Sequence, residues 1–520
     1  MKHEPQPRQQ SLYDDYAVRR LVSPDHPLLV IDRAVDFEFV HDLVAGLYSE
    51  VVGRRAVNPA LLMRLCFLQA YYGLSDREVI ERSQTDLALR AFLHLDLEDE
   101  LPHPTTLTVF RRRLGQERFK EVFNRSVAMA VERGLVRRRM MLADSYGIIA
   151  DVAVPRLRRL LMRLTRRGLR TLEGFGAGDE GLHKEEAAME RDESWWLTRK
   201  HGERDIERWF ALAQAVQEAL AGAEVSPEHE ERRRRMVDLL GRAMKRQKKP
   251  AAGERRDTLV SDVDADARWS MRQRGKKAYV GYKEQLATDD AHEIITAAAV
   301  TPANVDDKEM LAELVEQHAE NTGETPEAVA ADSGYSSGPN RRGLKEAGIT
   351  DYVAVPTPKG HKQEQLSASD FAPEFEGDTA VRVRCPAGRE AVRGKWDEQR
   401  RGWTFYFIKA QCEGCDWRDR CNKSKGGRAV FISRYWRETA DARARQHQQE
   451  FLAAQEKRLE IERTFAYQQR RGKHRRAKYR GLAGVGIQVY LSCFMVNVVR
   501  MAKAVAAGGG PELGAICPDG

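Results

Sequence analysis

The sequence predicts an α/β protein: a mixed sheet with flanking helices, preceded by a helical N-terminal domain, split by a helical insertion and joined to a small Cys-rich β lobe. Three observations carry this reading. Short apolar runs that end in an acidic residue, Met140-Met141-Leu142-Ala143-Asp144 and Ala328-Val329-Ala330-Ala331-Asp332, alternate with stretches of helical periodicity. Residues 156–260 are rich in Arg, Glu, Leu and Ala and poor in strand formers. Four of the seven cysteines, Cys385, Cys412, Cys415 and Cys421, gather in one segment.

Residues 1–135 read as helical. Ser75-Asp76-Arg77-Glu78 has capping-box spacing, and helical patterns run through 87–95 and 106–114. Arg111 and Arg112 are candidates for DNA phosphate contacts, the bland alternative being a dimerisation or purely structural bundle. The first core strand falls within 136–155, and 156–260 forms the insertion, with amphipathic helices over 206–220 and 230–244. Trp195, Trp196 and Trp209 are expected to pack its core.

The sheet resumes over 261–357, with strands at 278–286 and 293–300. A helix over 306–319 follows, in which Leu311, Leu314, Val315 and His318 share a face, so His318 borders the core rather than the chemistry. After the strand ending at Asp332 come a Ser-Gly turn, a helix over 339–347 and a strand at 352–355.

Residues 358–436 form the Cys-rich β lobe, with hairpin strands around Val381-Arg382-Val383-Arg384 and Trp403-Thr404-Phe405-Tyr406-Phe407. Cys412-x-x-Cys415 has knuckle spacing, and with Cys385 and Cys421 it makes a four-thiolate zinc site the first reading; an iron–sulfur cluster or unligated thiols are the alternatives. Disulfides are not expected in a reducing cytoplasm. Cys66 and Cys493 sit in apolar surroundings, and Cys517 lies in a Gly-rich tail, 506–520, expected to be disordered. Residues 437–505 supply the last helices. One helix over 440–468 is expected to turn Leu452, Leu459 and Phe465 inward and to set Arg458 and Glu462 one turn apart.

At 520 residues the chain can bury two or three full cores. The net charge is +8, from 86 basic and 78 acidic residues, and its placement matters more than its size. Between Lys457 and Arg480 ten Lys or Arg face two Glu, a stripe suited to phosphate backbones or else a solvated helix face. Lys473, Arg475 and Arg476 are the candidates within it for DNA backbone contacts. Met1 to Tyr16 is polar and unlike a signal peptide, so a cytoplasmic, nucleoid-associated location is expected. The apolar stretch 482–499 is interrupted by Gln488, Ser492 and Asn497, and reads as a helix buried against the sheet rather than a membrane span.

Asp144, Asp332 and Glu462 are the candidate chemistry. An acid at the carboxyl end of a strand stands above a rigid platform, where open α/β sheets bind ligands. Two such aspartates and a helix glutamate offer the hard oxygen donors that Mg²⁺ or Mn²⁺ takes when it assists phosphodiester cleavage. Asp151 lies an odd number of residues from Asp144, so on one strand the two would face opposite ways, and the apolar run favours Asp144.

The flanking residues sharpen this. Ala331-Asp332-Ser333-Gly334-Tyr335 resembles the "A-D-x-G-Y" segment of bacterial insertion-sequence transposases of the DDE type. Ile461-Glu462-Arg463-Thr464-Phe465, Tyr479-Arg480-Gly481-Leu482, and Asn497 with Arg500 are similar to that family's third-carboxylate and closing helices. Gly281-Tyr282-Lys283 with Asp289, and Asp264-Ala265-Asp266-Ala267-Arg268, resemble its "G-Y-K…D" and "D-x-D-A-R" segments. Similarity extends to the N-terminal part through Pro59-Ala60-Leu61-Leu62, Leu74-Ser75-Asp76-Arg77-Glu78 and His103-Pro104-Thr105-Thr106-Leu107. Some transposases of this superfamily carry a tyrosine and a lysine where this chain has Gln455 and Gln469.

The resemblance implies a ribonuclease H-like core, two Mg²⁺ ions on Asp144, Asp332 and Glu462, and Arg458 orienting Glu462 or holding a phosphate. It also implies cleavage at transposon ends, strand transfer into target DNA, and a homodimer on double-stranded DNA. The alternatives are a nuclease without strand transfer and a catalytically decayed DNA-binding derivative.

Overall fold

The computed structural model describes residues 20–48, 56–137, 139–191, 199–246, 258–270, 277–356, 365–421 and 426–507. Trp195, Trp196, Cys517 and residues 508–520 of the tail lie outside them.

The N-terminal region is helical because its apolar runs carry strong start signals. Helix α1, Pro59–Tyr72, opens with proline behind Asn58, whose side chain accepts the Ala60 and Leu61 N–H groups. The Ser75–Glu78 capping box forms at the head of Asp76–Thr85. Helix α2, Pro104–Glu132, then runs along the region. Arg111 is not a surface cation: it is 5 % exposed, with Nη2 at 2.6 Å from Asp76 and Nη1 donating to Gln69 at 2.9 Å. Its position on the face of Leu107, Phe110 and Leu114 turns it inward, so the expected phosphate contact gives way to an ion pair within the helical region. Arg112 is exposed.

Strand β1, Met140–Ile149, opens the sheet, and the insertion follows it directly. Helices α3 (Leu157–Gly174), α4 (Arg199–Gly222) and α5 (Pro227–Lys245) pack round a core of their own, with Trp209 buried among Leu160, Leu164, Val216 and Leu240. The chain re-enters through β2 (Arg268–Trp269), β3 (Val280–Asp289) and β4 (Ile295–Pro302), then α6 (Leu311–Thr322), β5 (Ala328–Ala331), α7 (Gly338–Glu346) and β6 (Thr350–Val353). β1 pairs antiparallel with β3 and parallel with β5, β5 is parallel to β6, and β2 and β4 both pair with β3. This is the ribonuclease H-like order, three antiparallel strands continued by two parallel ones. Gly281 is required where β3 crosses β1, since a Cβ there would lie 2.0 Å from the Ile148 carbonyl oxygen.

The Cys-rich lobe contributes a hairpin, β7 (Ala372–Glu376) with β8 (Thr379–Arg384), and a three-stranded sheet of β9 (Arg393–Asp397), β10 (Gly402–Tyr406) and β11 (Ala429–Ser433). The helix expected over 440–468 is divided into Trp436–Arg445, α8 (Gln449–Arg458) and α9 (Ile461–Gly472). Tight bonds from the Glu460 N–H to the Lys457 carbonyl and from the Glu462 N–H to that of Leu459 replace the α-helical pattern at the α8–α9 joint. Leu452 and Leu459 are therefore exposed at 56 % and 53 %, whereas Phe465 is buried and stacks on Tyr146.

Helix α10, Leu482–Ala506, is apolar nearly all round because it is enclosed between α2, α1 and the β3–β4 side of the sheet. Phe494 meets Phe37 and Phe67 edge to face there, joining the helical region and the sheet through one continuous apolar core.

Candidate active site

Asp144 and Asp332 lie side by side by register. Ala143 pairs with Ala331 across the parallel β1–β5 ladder, so the two aspartates follow on adjacent strands about 5 Å apart in backbone spacing. Asp144 is mid-strand and buried, and Asp332 has just left β5 to cap the Ser333–Tyr335 turn, its Oδ1 accepting the Gly334 N–H at 2.8 Å. Asp151 falls beyond the end of β1 and is exposed. Glu462 stands exposed in the first turn of α9, where the helix dipole favours a negative charge.

Helix α8 closes the strand ends. Gln455 Nε2 donates to the Ala331 carbonyl at 3.1 Å and to the Tyr352 carbonyl, tying β5 to β6. One turn on, Arg458 Nη1 donates to Asp144 Oδ2 at 2.8 Å. The expected Arg458–Glu462 partnership is thus replaced by an Arg458–Asp144 ion pair, because the helix break turns the two residues different ways.

Burial pushes the Asp144 carboxyl up to about 7. The Ser145 N–H and Arg458 oppose the rise, while the charges of Asp332 and Glu462 add to it. Asp332 and Glu462 thus both bear on Asp144. Among the described residues, however, no three His, Cys, Asp or Glu side chains are arranged to hold a metal ion as they stand. The aspartate oxygens are turned to protein donors: Asp144 Oδ1 accepts the Ser145 N–H at 2.7 Å, and its Oδ2 is held by Arg458. In kind the donors fit a hard divalent cation, since Asp332 and Glu462 lie within electrostatic reach of Asp144, which is costly to ionise there.

Several supporting residues escaped the sequence reading. Asp307, just ahead of α6, accepts from Lys283 Nζ at 2.9 Å and Gln285 Nε2 at 2.8 Å, and Tyr335 donates to Gln285 Oε1 at 2.5 Å. A Cβ on Gly334 would lie 3.2 Å from Asp307 Oδ2, so this buried network braces the Asp332 turn. On the other face of β3, Glu284 accepts from Gln468 Nε2 at 2.9 Å, fixing α9, and His474 of the following loop approaches it to 3.1 Å. Neither Asp307 nor His474 carried a local signal, because their partners are remote in sequence.

The motif residues have visible tasks. Asn497 pairs with both backbone groups of Ile295, at 2.8 and 2.9 Å, and so holds α10 to β4. Arg500 reaches Glu293 and, at 2.7 Å, Thr464 two residues beyond Glu462, anchoring the start of α9. Asp264 accepts from Tyr282 at 2.5 Å, and Asp266 caps α10 through the Leu482 N–H at 2.9 Å. Asp289 accepts three backbone N–H groups in the β3–β4 turn. His318 is enclosed in the core rather than at its border, donating or accepting at 2.7 Å with Thr296.

Lys473, Arg475 and Arg476 are exposed on the loop after α9. The Ile149 N–H donates to the Arg475 carbonyl at 2.8 Å, so this basic loop is fastened to the end of β1. A groove of about 760 Å³ between the N-terminal helices and this loop is lined by Arg112, His474, Lys478 and Tyr479. In the β lobe, Cys385, Cys412, Cys415 and Cys421 are free thiols lining one small cavity.

Two family models match the chain. The "Transposase domain (DUF772)" covers residues 16–113 and the "Transposase DDE domain" covers 384–502. The second match includes Glu462, the β-lobe cysteines and most of α10, whereas Asp144 and Asp332 lie outside it. Among curated proteins and among solved structures, no match to this chain is found. By domain content, then, the chain carries a match to a DUF772 transposase domain at its N-terminal end and one to a DDE transposase domain toward its C-terminal end.

Proposed function

We propose that the protein cleaves DNA at the ends of a bacterial insertion sequence and transfers the freed strands into target DNA, with Asp144, Asp332 and Glu462 as its catalytic carboxylates. The observation that carries this reading is the register of β1 and β5, which sets two aspartates side by side within electrostatic reach of the third acid. In the first step water attacks a phosphorus at the transposon end; the P–O3′ bond breaks and a 3′-hydroxyl is released. In the second, that hydroxyl attacks a target phosphodiester, forming one P–O bond as another breaks. Bound Mg²⁺ or Mn²⁺ would neutralise charge on the phosphoryl oxygens and acidify the attacking water or hydroxyl.

The chain's own residues hold the geometry. Gln455 locks the ends of β5 and β6, Arg458 offsets the charge of Asp144, and Arg500 fixes the first turn of α9. Lys473, Arg475, Arg476 and Arg112 face solvent around the same end of the fold, suited to hold DNA backbone without reading sequence. Joining two transposon ends calls for a homodimer in the DNA complex.

The test uses the purified full-length protein, a divalent cation, and DNA bearing the inverted repeats that flank its gene. Nicked ends and joined products are expected. Nicks without joining would replace the reading with a nuclease, and binding without nicks would replace it with a DNA-binding derivative.

A further inference from the structure

We infer that the β lobe holds one structural zinc ion on Cys385, Cys412, Cys415 and Cys421. The four residues come from three separate stretches, yet all line a single small cavity.

Two tight turns present the thiols. The Cys385 carbonyl accepts the Gly388 N–H at 2.8 Å, and the Cys415 carbonyl accepts the Arg418 N–H at 2.9 Å. Gly388 and Gly414 take φ of 77° and 65°, values at which a side chain would be strained. Arg389, Arg418 and Arg428 line the same cavity, and Arg428 Nη1 donates to the Cys421 carbonyl at 2.9 Å. Their positive charge suits a tetrathiolate zinc centre, which carries a net charge of about −2.

The lobe also has reason to need a staple. Its core rests on Phe371, Val383, Phe405, Phe407, Val430 and Ile432, a small apolar set for two separate sheets. Among the described residues the thiols are not yet at ligating distance, so binding would draw the ring inward to Zn–S separations of about 2.3 Å. With four protein ligands no position remains for substrate, and the ion's role is to hold the lobe's shape.

The experiment is elemental analysis of the full chain purified without chelator, with thiol titration before and after chelation. One zinc per chain is expected, with four thiols shielded until the metal is removed. Iron with acid-labile sulfide, or no metal and these four thiols reactive, would overturn the inference. Because Cys412→Ser can simply misfold, cobalt reconstitution of the wild-type apoprotein provides the second reading. Intense visible bands of tetrahedral cobalt thiolate support the site, and weak octahedral bands refute it.

Discussion

Replacing Asp144 with asparagine should change how stability depends on pH, in a direction the structure fixes. The carboxyl is raised from 3.8 to about 7, with burial as the first cause. A group raised on folding favours the folded state while protonated; that contribution is complete below pH 3.8 and is lost as pH rises through about 7. A rise of about three pH units, at about 1.4 kcal/mol for each, puts the loss on the order of 4 kcal/mol in metal-free protein. An amide cannot ionise, so Asp144→Asn removes this pH dependence, although it also deprives Arg458 of its partner. That pair forms only while Asp144 is ionised, so its effect is already contained in the raised carboxyl. A chain this long need not unfold in two states, so the quantity to follow is the difference in melting midpoint between variant and wild type in EDTA. The difference should move in favour of the variant between pH 4 and 8. Parallel curves across that range would refute the electrostatic account of the site.

His318 slopes the other way over the same range. Burial lowers it to about 4, so its contribution is complete above pH 6.5 and is lost as pH falls toward 4, on the order of 3 kcal/mol; His318→Gln should flatten the acid limb in melting experiments. Arg458→Ala strips Asp144 of its counter-charge and should raise that carboxyl still further, costing at most about 1.4 kcal/mol at pH 8 because protonation caps the loss, with Arg458→Lys recovering part of it in the same melts. Replacing Lys473, Arg475 and Arg476 together with alanine should lower the slope of log Kd against log salt by about 3 in DNA-binding titrations, while the sequence preference is unchanged.

The strand-borne half of the candidate site was legible because an acid after an apolar run ends a strand wherever that run is buried. Met141 to Ala143 and Val329 to Ala331 are wholly buried, and Asp144 and Asp332 follow them. Helix starts were equally readable, as at Ser75, where capping is local chemistry. The division at 459–460 was not legible. Leu459 and Glu460 are good helix formers, and the break accompanies a tertiary demand that Gln455 and Arg458 face the strand ends while α9 packs Phe465 on Tyr146. Arg111 misled because three consecutive arginines read as a solvated run; only its register with Phe110 and Leu114 marks it as an inward residue. Lys283, Glu284 and Gln285 resemble a surface patch, yet they are buried in mid-sheet because Asp307 and Gln468, both distant in sequence, hydrogen-bond to them.

The central claim, that three remote carboxylates share divalent cations, is tested most directly by loading Fe²⁺ in place of Mg²⁺. Hydroxyl radicals generated at the bound iron then cut the polypeptide nearby, and the fragments can be mapped. Cuts clustered around Asp144, Asp332 and Glu462, all suppressed by excess Mg²⁺, are expected. Cuts at only one of the three, or a pattern that excess Mg²⁺ leaves unchanged, would contradict the account.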